Sequence, residues 1–160
     1  MADLFNQDFL EYIQLLNKHK VEYVLLGGMA VNIYGYRRST GDMDLFVNPT
    51  EANHKRLKKV HSEFGMLMGE MEKLENFTNT TKYDVYTFGV SPIQIDVMTA
   101  CKGITFGEAY SQSQEYQVNK ISIKVISFDT LLKSKNATNR TRDLADIEEL
   151  KKIRNTKRND

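Results

Sequence analysis

VLLGGMAVNIYGYRRSTGDMDLFVN, Val24 to Asn48, sets the architecture of this chain. It opens inside an aliphatic, β-branched run, Val21 to Leu26, that stops at Gly27-Gly28 and so reads as a buried strand entering a turn. A helix follows from about Gly28 to Tyr34 and ends at Gly35. After the polar connection YRRSTG a second strand, DMDLFVN, begins at Asp42. Asp42 and Asp44 are two apart in that strand, which puts both carboxylates on one face of the sheet. Carboxylates this close repel, and one pKa rises unless a cation neutralises them; hard oxygen donors suit magnesium or manganese. Taken alone, an Asp-x-Asp pair also fits a solvated strand end.

Upstream, Phe5, Phe9, Tyr12, Ile13 and Leu16 recur at spacings of three and four, predicting an amphipathic helix over residues 4–19. Downstream, Asn48-Pro49-Thr50 breaks the strand and Thr50 caps a surface helix reaching about Phe64. GMLMGEMEKLENF, from Gly65, lacks clean periodicity, and helix and strand both stay open there. KYDVYTFGV and IQIDVMTA alternate apolar and polar residues around Ser91-Pro92, the pattern of two antiparallel neighbours, with Asp96 inside the second. A short helix around Phe106 to Tyr110, a strand ISIKVIS, and helices from Ser127 onward complete the order. Leu144, Ile147, Leu150 and Ile153 form the expected apolar stripe of the last helix. The fold class is therefore α+β: one domain over 1–160 with a mixed sheet flanked by helices, a core at about 21–126, and a short C-terminal helical segment at about 127–155.

Bulk composition narrows the functions. With 160 residues, 41% hydrophobic and 27% charged, the chain can bury a core without disulfides or structural metals. Lys plus Arg number 22 against 21 for Asp plus Glu, so there is no global attraction to nucleic acid or anionic lipid, and any polyanion site is local. The single cysteine, Cys101, forms no internal disulfide, the N-terminus lacks the pattern of a signal peptide, and no apolar run approaches the roughly 20 residues that span a bilayer. A soluble cytoplasmic protein without membrane association is expected. His19, His54 and His61 have no zinc-like spacing and read as solvated histidines, while Met29, Met66, Met68 and Met71 read as core filler.

Three features join the aspartate pair. Asp96, between Ile95 and Val97, needs a partner, a cation or an open cleft to stay ionised. Gly27-Gly28 opens a helix with backbone N–H groups available for phosphate and no side chain in the way. Arg38 and Thr40 immediately precede the aspartates, where a guanidinium helps a polyanion approach. Read as one pattern, Gly27-Gly28-x6-Gly35-x2-Arg38-x-Thr40-x-Asp42-x-Asp44 followed by Asp96 resembles the core of the DNA polymerase β type nucleotidyltransferase superfamily, above all its minimal and abortive-infection-type bacterial members. Lys135 and the run Arg140-Thr-Arg142-Asp143-Leu-Ala-Asp146 resemble that family's Lys-, Arg- and Asp-rich helical segment. Many members carry serine after the first glycine, where this chain has Gly28.

The resemblance implies transfer of a nucleoside monophosphate from a nucleoside triphosphate to a hydroxyl by a two-metal mechanism, with magnesium or manganese held by Asp42, Asp44 and Asp96. Gly27, Gly28, Arg38, Thr40 and Lys135 are then the expected nucleotide-binding residues. The acceptor stays open between RNA, a protein and a small hydroxylated antibiotic. Lys151, Lys152, Arg154, Lys157 and Arg158 cluster at the end, where they suit either an RNA backbone or the helix macrodipole. The rival reading is a catalytically silent module that binds nucleotide, RNA or a partner protein of a toxin–antitoxin pair.

Overall fold

A computed structural model describes residues 5–159. Its centre is a six-stranded mixed sheet built from β1 (Tyr23–Leu26), β2 (Asp42–Val47), β3 (Val85–Val90), β4 (Ile93–Met98), β5 (Gln114–Val118) and β6 (Ile121–Val125), in the order β3-β4-β2-β1-β6-β5. β1 runs antiparallel to β2 and parallel to β6, and β2 runs parallel to β4. The expected hairpin forms: β3 and β4 pair antiparallel around Ser91-Pro92, which is cis. β3 is an outer strand with no Lys, Arg, Asp, Glu or Pro between Val85 and Val90, and Val90 is 78% exposed.

The helices are α1 (Gln7–Lys18), α2 (Gly27–Ile33), α3 (Glu51–Phe64), α4 (Leu74–Phe77), α5 (Phe106–Ser111), α6 (Phe128–Thr138) and α7 (Thr141–Asn159). Local chemistry sets the starts of the longer ones. Asn6, Thr50 and Ser127 each accept a first-turn backbone N–H and cap α1, α3 and α6. Asn6 places the start of α1 later than expected, and residue 4 lies outside the described residues. The ambiguous stretch after Gly65 becomes a 3-10 turn at Gly69–Glu72 and the single turn of α4. β5 is a strand that the hydrophobic pattern does not announce: only Val118 of QEYQV is buried.

Parity along the strands separates the two faces. Met43, Leu45, Ile95 and Val97 are all 2% exposed or less and point away from the aspartates. α1 and α3 cover that face. Phe88, paired with Ile95, meets the ring of His61 on α3 at 4.7 Å, and Tyr12 on α1 bonds His61 Nε2 at 2.7 Å. His54 bonds the Met71 carbonyl at 2.8 Å. Both histidines are buried, not solvated as expected, because each ring has a polar partner inside the core. Met29, Met68 and Met71 are core residues, and Met66 packs against the core partly buried. On the opposite face Phe46 packs edge-to-face with Phe106 of α5 at 5.3 Å.

An ion cluster ties the C-terminal helices to the sheet. Asp146, 1% exposed, accepts from Arg38 Nε at 2.8 Å, Arg38 Nη2 at 3.0 Å and Lys135 Nζ at 2.9 Å. Asp143 accepts from Lys135 at 3.0 Å, Arg140 at 2.7 Å and the Thr138 hydroxyl. These bonds hold the Asp143 carboxyl down at about 2 despite its burial. The inward face of α7 is thus partly ionic: Ile147 and Leu150 are buried as expected, but Leu144 is 43% exposed, since Asp143 occupies the inward position beside it. α7 also runs to Asn159, beyond the expected end near 155.

Two outcomes follow for stability. Asp146→Ala leaves Arg38 and Lys135 short of a buried partner and should lower unfolding free energy by about 3–5 kcal/mol in a denaturant titration; a loss below about 1 kcal/mol would mean that the cluster does not anchor α7. His61 is kept neutral by burial, its pKa lying below the ordinary value of 6.5. Its contribution is therefore complete above pH 6.5 and fades as pH falls toward the folded-state value. The stability advantage of the wild type over His61→Gln should shrink between pH about 7 and about 5; a constant advantage would show that His61 tolerates protonation.

Candidate active site

Parallel pairing of β2 with β4 sets Asp44 opposite Asp96 and Asp42 opposite Gln94. All three aspartates therefore lie on one face of the sheet, the convergence expected from the alternation of DMDLFV and IQIDVM. They line one cleft with a cavity of about 550 Å³. β3 extends its wall: Thr87, opposite Asp96, donates to Asp96 Oδ1 at 2.9 Å, and Gln94 Nε2 donates to the same oxygen at 3.2 Å. Asp96 is thus oriented by one donor from β3 and one from its own strand.

The electrostatic cost of this arrangement falls on Asp44. Burial, then the Asp96 charge and a hydrogen bond with that carboxylate, then Asp42, push the Asp44 carboxyl up to about 7. Asp42 moves in the same direction, through burial and Asp96, while the Arg142 guanidinium acts against the shift. Burial and the neighbouring Asp44 and Asp84 raise the Cys101 thiol to about 12, so this cleft cysteine stays a thiol at neutral pH.

The double glycine approaches Asp44 and Thr40 at distances that leave no room for a side chain. Gly27 has φ +72°, and a Cβ there would overlap the Asp44 carboxylate. A Cβ on Gly28 would stand 2.5 Å from Thr40 Oγ1 and 3.3 Å from Arg38 Nη1. The Thr40 hydroxyl therefore stands where a side chain at position 28 would begin. α2 is only seven residues long, so what Gly27-Gly28 offers is a bare backbone wall with first-turn N–H groups, not a long macrodipole.

Of the expected phosphate contacts, Lys135 and Arg38 line the cleft with their charge already matched by Asp143 and Asp146. Their partners lie in α7, more than a hundred residues from Arg38, and spacing alone does not reveal such pairing. Asp84, Lys102, Ser134 and Thr138 also line the cleft, with no signal in the sequence beyond polarity. The basic C-terminal cluster stands apart: Arg154 pairs with Asp129 at 3.0 Å and covers the Phe128 ring, and Lys152 pairs with Glu148 and Glu149.

Among the described residues no three His, Cys, Asp or Glu side chains are disposed to hold a metal ion by themselves. The all-carboxylate donor set still fits a hard cation such as magnesium, which takes one or two protein carboxylates and fills its sphere with water and substrate phosphate. No helix among the described residues is long and apolar enough to cross a membrane.

The fold recurs among solved structures, two of which illustrate it. One is the lincosamide antibiotic adenylyltransferase LnuA, lincomycin-bound, at 14% identity and TM-score 0.54, covering 93% of this chain and 98% of that one. The other is a putative nucleotidyltransferase (TM1012) from Thermotoga maritima, at 14% identity and TM-score 0.51, covering 94% and 90%. No curated protein matches the sequence. A family profile described as "Nucleotidyl transferase of unknown function (DUF2204)" matches residues 5–159, nearly the whole chain, and the chain belongs to that nucleotidyl transferase family.

Proposed function

We propose that this protein transfers a nucleoside monophosphate from a nucleoside triphosphate to a hydroxyl of a small molecule. The observation that carries the reading is the Asp44–Asp96 pair, held opposite each other with Asp42 alongside in an open cleft, at the cost of an Asp44 carboxyl raised to about 7. A carboxylate cluster of this kind suits a cation-bound triphosphate better than a structural role. Asp42, Asp44 and Asp96 would hold magnesium or manganese, which when bound would neutralise phosphate charge and acidify the acceptor hydroxyl.

The cleft then divides along the strand direction. Gly27, Gly28, Arg38 and Thr40 surround the start of β2 and form the donor end, with Lys135 behind them. Asp84, Val85, Met98 and Lys102 flank the far end of β4 and form the acceptor end. In the transfer, the acceptor oxygen forms a bond to the α-phosphorus as the bond to the bridging oxygen breaks; pyrophosphate leaves with that electron pair. Asp96, oriented by Thr87 and Gln94, takes the acceptor proton. A small acceptor is favoured by the cavity size, by the pairing of Arg154 and Lys152 within the C-terminal helices, and by the small-molecule antibiotic named for the LnuA neighbour.

Two measurements decide between this and a silent binding module. Incubation with each α-labelled triphosphate, magnesium and a panel of hydroxylated small molecules or RNA should give labelled small molecule, and Asp42→Asn or Asp96→Asn should lower the rate at least about a thousandfold. Binding without turnover by the wild type would favour the silent module, and labelled RNA would move the acceptor assignment. The second measurement is stability in chelator. Asp44 binds its proton more tightly folded, about 7, than unfolded, near 3.8, so its charge destabilises the metal-free fold increasingly as pH rises between those values. Asp44→Asn should melt higher than the wild type in chelator at pH about 8, by about 2–4 °C for each kcal/mol relieved. Magnesium should raise the wild-type melt only, and equal magnesium responses would remove Asp44 from the metal site.

A further inference from the structure

Five cations line the cleft: Arg38, Lys102, Lys135, Arg140 and Arg142. Three are already matched by buried carboxylates, since Arg38 and Lys135 share Asp146, and Lys135 and Arg140 share Asp143. Arg142 makes no ion pair among the described residues. Its Nη2 donates to the Ser39 carbonyl at 2.9 Å, which holds the guanidinium over the segment leading into β2. One of five N–H donors is used there, and the others stay available in the planar fork that matches phosphate. Lys102 also lacks an ion pair among the described residues, but it follows β4 at the opposite end of the cleft, beside Cys101.

Position distinguishes the phosphate that Arg142 can reach. Asp44 and Asp96 face each other across the β2–β4 pair, and Asp42 lies two residues, about 7 Å, nearer the start of β2. Ser39 lies further in the same direction, and the Arg142 charge acts on Asp42. A chain of phosphates that begins at the Asp44–Asp96 pair and follows the Gly28 and Thr40 wall ends at Arg142. We infer that Arg142 binds the β- and γ-phosphates of the donor and holds the departing pyrophosphate, whereas Arg38 and Lys135 form the matched ionic floor beneath it. The inference rests on the nucleotidyl-transfer reading and adds the residue that meets the leaving group.

Equilibrium binding in magnesium tests it, with inorganic pyrophosphate, the four nucleoside triphosphates and the four monophosphates as probes. Arg142→Gln should weaken pyrophosphate and the preferred triphosphate about tenfold or more, as the loss of a charge-assisted bond requires, and leave the monophosphate within about twofold. Arg142→Lys should recover part of the loss, because it restores the charge without the fork. Lys55→Gln, on α3 at the opposite face, should change nothing. Arg142 is exposed, so its variants should melt like the wild type. Pyrophosphate affinity unchanged in Arg142→Gln, or equal losses for mono- and triphosphate, would overturn the assignment. If the wild type bound pyrophosphate through Arg142 but no nucleotide, a pyrophosphate site at Arg142 would stand, while its assignment to a nucleotide donor would fall with the nucleotidyl-transfer reading. A wild type that bound neither would end both.

Discussion

Repulsion among Asp42, Asp44 and Asp96 is the constraint to which the rest of the cleft conforms. The parallel register of β2 and β4 leaves these carboxylates no route apart, because Asp44 and Asp96 are opposed by backbone pairing and not by rotamer choice. Their neighbours accommodate the charge. Gly27 brings only backbone against Asp44, and Thr87 of β3 and Gln94 of β4 donate to Asp96. The remaining tension settles on Asp44, whose carboxyl is pushed up first by burial and then by the Asp96 charge.

Across the cleft the charges are arranged in the opposite sense. Lys135 is 6% exposed and Asp146 1%, and neither could be buried alone at tolerable cost. Joined with Arg38 and Asp143, they form a closed set that connects the loop before β2, the end of α6 and the start of α7. The aspartate-bearing strand and the C-terminal helices are thereby fixed to each other by ionic bonds that water barely reaches. A cation inside such a set is largely spoken for, which is why the exposed Arg142 differs in kind from its neighbours although all of them border the same cavity.

Alternation and turn chemistry made much of this legible from the chain alone. DMDLFV and IQIDVM carry the period of two that fixes which face each aspartate occupies, and Thr50 and Ser127 mark the starts of two helices. The misses share a cause. QEYQV gives β5 no apolar alternation because the strand lies at the edge of the sheet with little of it buried. His54 and His61 look like solvent residues until Met71 and Tyr12 arrive from distant segments. The pairing of Arg38 and Lys135 stays hidden until α7 folds back and supplies Asp146. Local pattern reports orientation, whereas the state of a charge depends on partners that only the tertiary fold brings in.

The outer strand β3 has a practical consequence. Soluble proteins commonly deter strand addition at a sheet edge with a lysine, a proline or an inward-facing charge. From Val85 to Val90 this edge has none of these, and the same strand supplies Thr87 to the wall of the aspartate cleft. A charge added there to improve solubility would fall within one strand of Asp96 if it replaced Thr87, but Val90, which is 78% exposed at the turn, offers a place for such a gatekeeper away from the carboxylates.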